Sequence, residues 1–268
     1  MMIPKVSVII PIYNTSKVYL KECLDSISSQ TLVNFECFLI DDSDNDDIVN
    51  FLESYVFQDQ RFIHIKNQDR LGKSGSRNYG IHKAHAEYIA FMDADDISCS
   101  NRLDTQYNFL KQNPEIDILG SNLRIIINGK VSNLNRVYPE KHHQISRKFF
   151  YANAIAQPSV MMKKSIFLDH NIYFDTRYNF CEDLDLWLRL LNKGLVFHNH
   201  QDKLILYRQE DSNREIENWK FNILVRLRNL NHRKIIMQLI FIVLIAFWMV
   251  IPSFLKKSIY NRLILNAK

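Results

Sequence analysis

Apolar segments of strand length alternate with helix-length segments along the N-terminal part of this 268-residue chain. The strand-like segments are residues 5–11, 35–40, 62–66 and 87–92. The first, KVSVIIP, is rich in β-branched residues and closed by proline, which is typical of a buried strand. Between the first two, Leu20, Leu24 and Ile27 recur at helical spacing. This alternation predicts an α/β fold whose mainly parallel sheet is covered by helices on both faces.

The pattern is more mixed after the fourth strand. We predict helices at residues 102–112 and 182–192 and strands at 156–163 and 203–207. Asn128-Gly129 predicts a hairpin turn, because both residues tolerate positive φ. No linker or internal repeat precedes about residue 215. The sequence therefore predicts one domain over residues 1–220 and a separate tail over 221–268.

The cysteines and the N-terminus indicate the cellular compartment. Cys23, Cys37, Cys99 and Cys181 are too widely spaced for a zinc site or a disulfide framework, so we expect core or loop thiols. The opening sequence MMIPKVSVII lacks the charged region and cleavage site of a signal peptide. Both features are typical of a protein in a reducing cytoplasm.

Two predicted strands end in clusters of carboxylates, Asp41-Asp42 and Asp93-Ala94-Asp95. Open α/β sheets bind ligands at the carboxyl ends of their strands, and crowded carboxylates repel one another unless a cation joins them. Oxygen ligands of this kind favour Mg²⁺ or Mn²⁺, which also bind phosphates. The alternative is that each aspartate merely caps the next turn. Two clusters on successive units favour the metal site.

A third acidic pair, Glu182-Asp183, begins the predicted helix 182–192. One interpretation is that this pair merely caps the helix, because acids interact favourably with the positive end of the helix dipole. The same dipole would keep Asp183 ionised and able to accept a proton. Between the acid clusters, the segment NQDRLGKSGSRN places Lys73 and Arg77 ahead of a helix, which is a weak signal for phosphate binding.

The tail differs from the domain in charge and hydrophobicity. Residues 221–268 contain eight basic residues and no acidic residue, so the chain's net charge of +5 comes from the tail. Nucleic-acid binding would need a basic face on the domain, and we expect no such partner. Residues 235–255 are uncharged and would form a helix of about 32 Å, enough to cross a bilayer core. We predict membrane association, by spanning or by lying at an anionic surface; the alternative is a buried core helix.

The ordered motifs of the chain resemble those of family 2 glycosyltransferases with the GT-A fold. They are VSVIIPIYN, FLIDD, LGKSGSRNYGI, YIAFMDADD, CEDLDLWLRL and LILYR. The resemblance covers roughly residues 4–210. It implies a Rossmann-like nucleotide-diphospho-sugar transferase fold and an inverting enzyme that uses Mn²⁺ or Mg²⁺.

The resemblance also implies a nucleotide pocket. Pro11 and Tyr13 would line the base and ribose site, with Tyr13 against the face of the base. Asp42 would accept a hydrogen bond from the base N3–H, which favours uracil, and Asp41 is its neighbour.

For the chemistry, the resemblance implies that Arg77 and Lys73 lie near the diphosphate. Asp93 and Asp95 would form the DxD pair, with Asp95 the firmer metal ligand. Asp183 would be the catalytic base.

Three positions depart from the usual family pattern. Ser43 follows the paired aspartates where a glycine is usual, and Ser76 stands where many members have alanine. Gln209 follows the Tyr-Arg pair where a histidine often contributes to metal or diphosphate binding. His198 and His200 do not match that position, and we expect both to be structural or surface residues.

The reaction implied is transfer of a hexose, glucose or galactose, from a UDP-sugar with inversion, giving a β-glycosidic bond. The expected acceptor is a lipid-linked saccharide such as polyprenyl-diphosphate-GlcNAc. With the tail, this predicts contact with inner-membrane lipid at the cytoplasmic face of a bacterial inner membrane, in O-antigen, capsule or lipooligosaccharide synthesis. One alternative is a haloacid-dehalogenase-type phosphatase, whose DxD motif normally lies on the first strand. The other is a catalytically inactive, membrane-attached sugar-nucleotide binder.

Overall fold

The computed structural model describes residues 3–209 and 216–251. The strands in these ranges are β1 Val6–Ile12, β2 Phe35–Asp41, β3 Phe62–Lys66, β4 Tyr88–Phe91, β5 Ile97–Ser98, β6 Ile118–Ile127, β7 Lys130–Arg136, β8 Met161–Lys163 and β9 Phe197–Arg208. The helices are α1 Lys17–Ser28, α2 Asp46–Gln58, α3 Gly72–Lys83, α4 Arg102–Gln112, α5 His142–Lys148, α6 Ser165–His170, α7 Glu182–Asn192, α8 Ile216–Arg228 and α9 Ile235–Val250.

The first four strands form a parallel block with the spatial order β3-β2-β1-β4. The central strand β1 pairs with β2 on one side and with β4 on the other. Its register places Val6 opposite both Phe35 and Tyr88, and Ile12 opposite Asp41. The carboxyl ends of these strands therefore lie along one edge of the sheet, as the alternation of strands and helices predicted.

The remaining strands make the whole sheet mixed. β8 is antiparallel to both β4 and β6, whereas β9 is parallel to β6 and antiparallel to β5. β7 pairs with β6 through the predicted Asn128-Gly129 hairpin, and both turn residues have positive φ. The predicted parallel arrangement is therefore found in β1–β4, whereas the later strands pair in both directions.

Two later segments differ from their predicted extents. β9 begins at Phe197 rather than near residue 203, because its first half is polar and its pairing with β6 shifts register around Asn122. The predicted strand 156–163 is a 3₁₀ turn, Gln157–Ser159, followed by the short strand β8. Pro158 lies in that turn and has no N–H to donate to a sheet.

The core consists of two apolar layers, one on each face of the sheet. Alternation along β1 places Val8 and Ile10 in the layer covered by α1, α2 and α4. Ile9 points to the other layer, which α3, α5, α6 and α7 cover. Trp187 of α7 is fully buried there. Covering both faces explains why β1 is apolar at every position except Ser7 rather than alternating with polar residues.

The N-terminal part of the tail packs on the domain. Val225 of α8 is fully buried, and the side chain of Asn229 donates a hydrogen bond to Asp185 of α7 at 2.9 Å. The proposed division at residue 220 stays a prediction, although α8 crosses it.

Helix α9 contacts the domain through one face. Ile242 and Ile245 are buried, and the ring of Phe241 stacks 6.1 Å from that of Phe150. Within residues 3–209 and 216–251, none of the helices has the length and apolar character required to span a membrane. The predicted apolar segment 235–255 continues into residues 252–255, which lie outside the described part of the chain.

Candidate active site

The edge formed by the carboxyl ends of β1, β2 and β4 brings together most of the predicted site residues. Pro11 pairs with Ile40 and Ile12 pairs with Asp41, so the loops after β1 and β2 start side by side. These two loops are joined: the Asn14 backbone N–H donates to Ser43 Oγ at 3.2 Å, and Asn14 Oδ1 accepts from the Asp44 backbone at 3.3 Å. Asn14 has φ +47, which asparagine tolerates.

Asp42 is buried and anchors the loop that enters α3. Its Oδ1 accepts from Asn67 Nδ2 at 2.5 Å and from the Leu71 backbone at 3.3 Å. Its Oδ2 accepts from the Gly72 backbone at 2.8 Å and from Ser76 Oγ at 3.0 Å. A carboxylate has about four lone-pair sites, so a base N3–H would have to replace one of these donors. The predicted contact of Asp42 with the base stays a prediction.

Asp41 is fully buried beside that pocket. Its Oδ1 accepts from the Ser43 backbone at 2.8 Å, and its Oδ2 lies 3.0 Å from His64 Nε2. Burial alone would raise the pKa of Asp41, but the hydrogen bonds from His64 and Ser43 outweigh burial and hold the pKa below its ordinary value. Asp41 therefore stays ionised and fixes the end of β2.

Tyr13 projects from the loop after β1 and is 43% exposed, as a residue that stacks on a base must be. The guanidinium carbon of Arg70 lies 3.8 Å from the centroid of its ring. Sequence reasoning missed Arg70, although the residue is only two positions before Gly72. Because Arg70 covers one ring face, a base stacked on Tyr13 must either use the other face or displace the guanidinium.

Arg77 connects the second carboxylate cluster to the start of α7. The guanidinium is 2% exposed. Nη1 donates to Glu182 Oε1 at 2.9 Å, and Nη2 donates to Asp93 Oδ1 at 2.9 Å and to Gln157 Oε1 at 2.8 Å. The guanidinium thereby joins acceptors from three distant segments of the chain. A direct contact between Arg77 and a diphosphate would have to replace one of these acceptors, and it stays a prediction.

The segment after β4 has the electrostatic character of a cation site. Burial, and then the negative charge of Asp93, raises the pKa of Asp95. Burial raises the pKa of Asp96 still further, and its Oδ2 is buried without a hydrogen-bond partner among the described residues. The positive charge of Lys73 at the start of α3 acts in the opposite direction on Asp95. Lys73 therefore offsets part of the negative charge at Asp95.

These residues fit a divalent metal of the kind that substrate phosphates help to bind. Within the described residues, no group of three or more His, Cys, Asp or Glu side chains forms a complete ligand set. Mg²⁺ usually needs only one or two carboxylates and takes its other ligands from water and substrate phosphates. Asp95 and Asp93 would supply these carboxylates, and the positive charge of the metal would offset the burial and the repulsion that raise the pKa of Asp95.

Asp183 lies at the start of α7, next to the Glu182 that Arg77 binds. Its Oδ2 accepts from Asn153 Nδ2 at 2.6 Å, and its Oδ1 accepts from the Leu184 backbone at 2.7 Å. Burial, followed by the negative charge of Glu182, raises the pKa of Asp183 to about 6. A carboxylate with this pKa is ionised at neutral pH and is a stronger base than an ordinary aspartate. Asn153 carried no signal in the sequence.

Arg208, the last residue of the LILYR motif, holds the segment that follows β4. Its Nε donates to the Asp95 carbonyl oxygen and its backbone to Asp96 Oδ1, both at 2.8 Å. Its Nη2 donates to Glu22 of α1 at 2.5 Å. The following residue, Gln209, accepts a hydrogen bond from Arg136 at 3.3 Å.

The two histidines of β9 lie in a different environment. The rings of His198 and His200 pack 5.0 and 5.5 Å from the ring of Phe109. Their contacts with Phe109 agree with the structural role expected of both.

Comparison with known proteins identifies the family of this chain. Residues 7–176 match the family described as "Glycosyl transferase family 2". An uncharacterised glycosyltransferase of Methanocaldococcus jannaschii is 34% identical over 209 residues, which cover 76% of this chain and 71% of that protein. The O-antigen biosynthesis glycosyltransferase WbnJ of Escherichia coli is 32% identical over 206 residues, which cover 76% and 79%.

A solved structure shows the same fold. S. aureus TarS 1-349 in complex with UDP-GlcNAc superposes with a TM-score of 0.67 at 20% identity, covering 83% of this chain and 66% of that one. Fold and family match together define a GT-A glycosyltransferase. The chain belongs to glycosyl transferase family 2.

Proposed function

We propose that the protein transfers a hexose, glucose or galactose, from a UDP-sugar to a lipid-linked saccharide with inversion of the anomeric carbon. The observation that carries this proposal is the bridge through Arg77, whose guanidinium joins Asp93 of the DxD pair to Glu182, the neighbour of Asp183. It couples the predicted diphosphate site to the predicted base. A UDP-GlcNAc complex of a protein with the same fold supports the choice of a UDP-sugar.

In the proposed reaction, Asp183 takes the proton from the acceptor hydroxyl as its oxygen attacks the anomeric carbon. The new carbon–oxygen bond forms on the face opposite the diphosphate, whose bond to the sugar breaks, so an α-linked donor gives a β-linked product. The hydrogen bonds from Asn153 and Leu184 hold the carboxylate of Asp183 in place. A divalent metal at Asp95 and Asp93, Mn²⁺ or Mg²⁺, would supply Lewis-acid stabilisation of the leaving diphosphate.

The nucleotide pocket would be formed by Pro11, Tyr13 and Asp42, with Asp41 behind it. Lys73 contributes positive charge beside Asp95, where charge develops as the diphosphate leaves. The requirement for positive charge at that point follows from the oxocarbenium-like transition state, in which the bond to the leaving group is largely broken.

The acceptor that we favour is a polyprenyl-diphosphate-linked sugar such as GlcNAc, in O-antigen, capsule or lipooligosaccharide synthesis. The similarity to WbnJ, named for O-antigen biosynthesis, supports this class. Helix α9 exposes large apolar side chains and would hold the catalytic domain at inner-membrane lipid on the cytoplasmic face, where lipid-linked acceptors and nucleotide sugars meet. The family match favours this reaction over the phosphatase alternative.

Release of UDP tests the proposal. The full chain is incubated with UDP-glucose, UDP-galactose, UDP-GlcNAc or UDP-GalNAc, a divalent metal and a short-chain polyprenyl-diphosphate-GlcNAc, and the product anomer is assigned by NMR. Acceptor-dependent UDP release with a β-linked hexose supports the proposal. An α-linked product contradicts inversion, and binding of UDP-sugars without any turnover supports the inactive binder instead. Release of phosphate from phosphomonoesters would support the phosphatase.

A further inference from the structure

A cavity of about 110 Å³ lies where α5, α7, α8 and α9 meet. One water needs roughly 10–15 Å³ of such space, so this cavity can hold a phosphate-sized group with water. Its polar lining includes His142, Arg226 and Lys234, and none of the described residues that line it is an aspartate or glutamate. We refer to it as the basic cavity. None of the predicted site residues lines it, so it is separate from the candidate active site.

Arg226 carries a buried positive charge in the basic cavity. The side chain is 4% exposed. Nε donates to Asn222 Oδ1 at 2.7 Å and Nη1 donates to the Phe149 carbonyl oxygen, whereas Nη2 is buried without a partner among the described residues. None of the ion pairs within those residues includes Arg226. Burial lowers its pKa to about 10, so it is still charged at neutral pH. An uncompensated buried cation is costly unless an anion joins it.

Two further groups give the basic cavity the chemistry of a phosphate site. Lys234 lies at its rim, with Nζ 5.7 Å from the centroid of the Phe150 ring. His142 lines the same cavity as Lys234, and burial and then the charge of Lys234 lower the pKa of His142. His142 Nδ1 accepts from the Phe197 backbone at 3.2 Å, so the neutral ring carries its proton on Nε2, 3.3 Å from Ser146 Oγ. A guanidinium and an ammonium together favour a phosphate ester.

The surroundings of the basic cavity indicate where that phosphate comes from. Helix α9 borders it through Gln238 and Ile242, and Ile242 is buried. The rest of α9 exposes a continuous apolar surface that includes Ile236, Ile240, Val243, Leu244 and Phe247. We call this surface the outer face of α9. A molecule with an anionic head and an apolar chain matches both features, as expected for a helix that lies in the membrane interface.

We propose that the basic cavity binds the phosphate of an anionic membrane lipid whose acyl chains lie along the outer face of α9. The lipid would neutralise Arg226 and fix the catalytic domain at the bilayer surface through one stoichiometric contact, in addition to non-specific attraction. The inference extends the proposed membrane-bound function and can fail separately, because slow hydrolysis of a UDP-sugar needs no lipid.

The test compares single-charge variants of the full chain. Arg226→Gln removes the buried cation, and Lys234→Gln removes the cation at the rim. Arg228→Gln is the matched control, because Arg228 lies on the same helix, is exposed, and bonds Tyr178 at 2.9 Å without lining the basic cavity.

Binding of soluble dihexanoyl phosphatidic acid is measured by calorimetry, with inorganic phosphate as the free-anion probe. Cosedimentation is measured with phosphatidylcholine vesicles with and without phosphatidylglycerol. Thermal melting and UDP-sugar hydrolysis establish that each variant is folded.

We expect dihexanoyl phosphatidic acid to bind more tightly than inorganic phosphate. Arg226→Gln should weaken binding about tenfold, which corresponds to about 1.4 kcal/mol, and Lys234→Gln should also weaken it. Arg228→Gln should bind within about twofold of the natural chain, because it removes the same charge outside the cavity. Equal loss in Arg226→Gln and Arg228→Gln would show only non-specific attraction and overturn the proposal. If inorganic phosphate binds as tightly as the lipid, the ligand is a free anion and the lipid assignment is wrong. If Arg226→Gln does not fold, unchanged binding by Lys234→Gln overturns the proposal.

Discussion

Asn153 donates a hydrogen bond from Nδ2 to Oδ2 of Asp183 at 2.6 Å, across thirty positions of the chain. The second carboxylate oxygen accepts from the Leu184 backbone. Both oxygens of Asp183 are therefore oriented by neutral donors, while burial and Glu182 raise its pKa to about 6. The side chain combines a fixed direction with higher basicity than an ordinary aspartate, which is what general-base catalysis requires.

Asp183→Asn keeps the shape of the side chain and removes the proton acceptor. We expect kcat to fall about 10²–10⁴-fold, the usual contribution of a general base. UDP binding should change little, because no hydrogen bond among the described residues joins Asp183 to Pro11, Tyr13 or Asp42, which would line the nucleotide pocket. Single-turnover kinetics and calorimetry with UDP check the two halves of this prediction. Loss of UDP affinity with normal turnover would instead make Asp183 a capping or binding residue.

The same substitution is expected to stabilise the fold at neutral pH. Because its pKa is raised, Asp183 binds a proton more tightly in the folded protein than in the unfolded chain. The resulting stabilisation of the fold is fully present below pH 3.8, the ordinary pKa, and is lost as the pH rises through about 6. Replacing the charged carboxylate by a neutral amide should raise the free energy of unfolding at pH 7.5 by up to about 3 kcal/mol, because one pKa unit corresponds to about 1.4 kcal/mol. Asn153 Oδ1 has no hydrogen-bond partner among the described residues, and a flip of the amide would let it accept from the side-chain amide that Asp183→Asn introduces. Melting of both proteins at pH 4 and 7.5 checks this: the gain should be confined to the higher pH.

The pH dependence of the reaction should report on Asp183. We expect kcat to fall below about pH 6, where the carboxylate becomes protonated. Asn153→Ala removes a donor that favours the ionised form, so the acidic limb of the profile should move upward by about one unit. The control is Asn34→Ala, since Asn34 precedes β2 at the opposite end of the sheet. An acidic limb that does not move in Asn153→Ala would mean that another group controls the rate.

The sequence predicts those parts of the site that depend on neighbouring residues, and it does not predict contacts between residues far apart in the chain. The sequence places Asp93 and Asp95 correctly at the end of β4, because an apolar strand followed by acids is a local signal. The bridge from Arg77 to Glu182 joins residues 105 positions apart. No local pattern encodes which buried guanidinium meets which carboxylate, so only the folded chain reveals it.

Other elements were missed because their local signals conflict with the fold. The polar first half of β9 is buried in part by its pairing with β6, and register shifts there hide the strand periodicity. Asn153 lies in a loop after the short helix α5, where only tertiary packing gives it a partner. The pairing of β9 and the contact of Asn153 are favourable because the folded chain buries them. A single sequence does not specify which residues bury one another.

The proposed metal dependence rests on the burial of Asp95 and on the negative charge of Asp93, which together raise the pKa of Asp95. EDTA should abolish transfer, and Mn²⁺ or Mg²⁺ should restore it. Asp95→Asn should lose metal-dependent UDP binding in calorimetry, because the diphosphate then lacks its shared cation. Asp169→Asn, an exposed change on α6, is the control of equal charge. Full activity in EDTA, or unchanged metal-dependent UDP binding in Asp95→Asn, would contradict the assignment.

The last prediction separates the role of α9 from that of α8. A chain that ends at Asn231 keeps α8, whose Val225 is fully buried and whose following Asn229 bonds Asp185, but it lacks α9 and its outer face. We expect this chain to be soluble without detergent, to melt cooperatively, to bind UDP and to hydrolyse the donor slowly. A chain that ends at Gln209 also loses α8. It should melt at a lower temperature, since the contacts of α8 with α7 are then missing.

Transfer assays with the chain ending at Asn231 test why α9 is present. Transfer to a long-chain polyprenyl-diphosphate acceptor in vesicles should fall strongly, whereas transfer to a short soluble analogue should fall much less, because only the first reaction needs the enzyme at a bilayer surface. Full-length protein should sediment with vesicles, and the shortened chain should not. If removing α9 abolishes cooperative melting, the helix is part of the core and the membrane proposal is wrong. The same conclusion follows if the full-length protein stays in solution with vesicles present and transfers equally well to both acceptors.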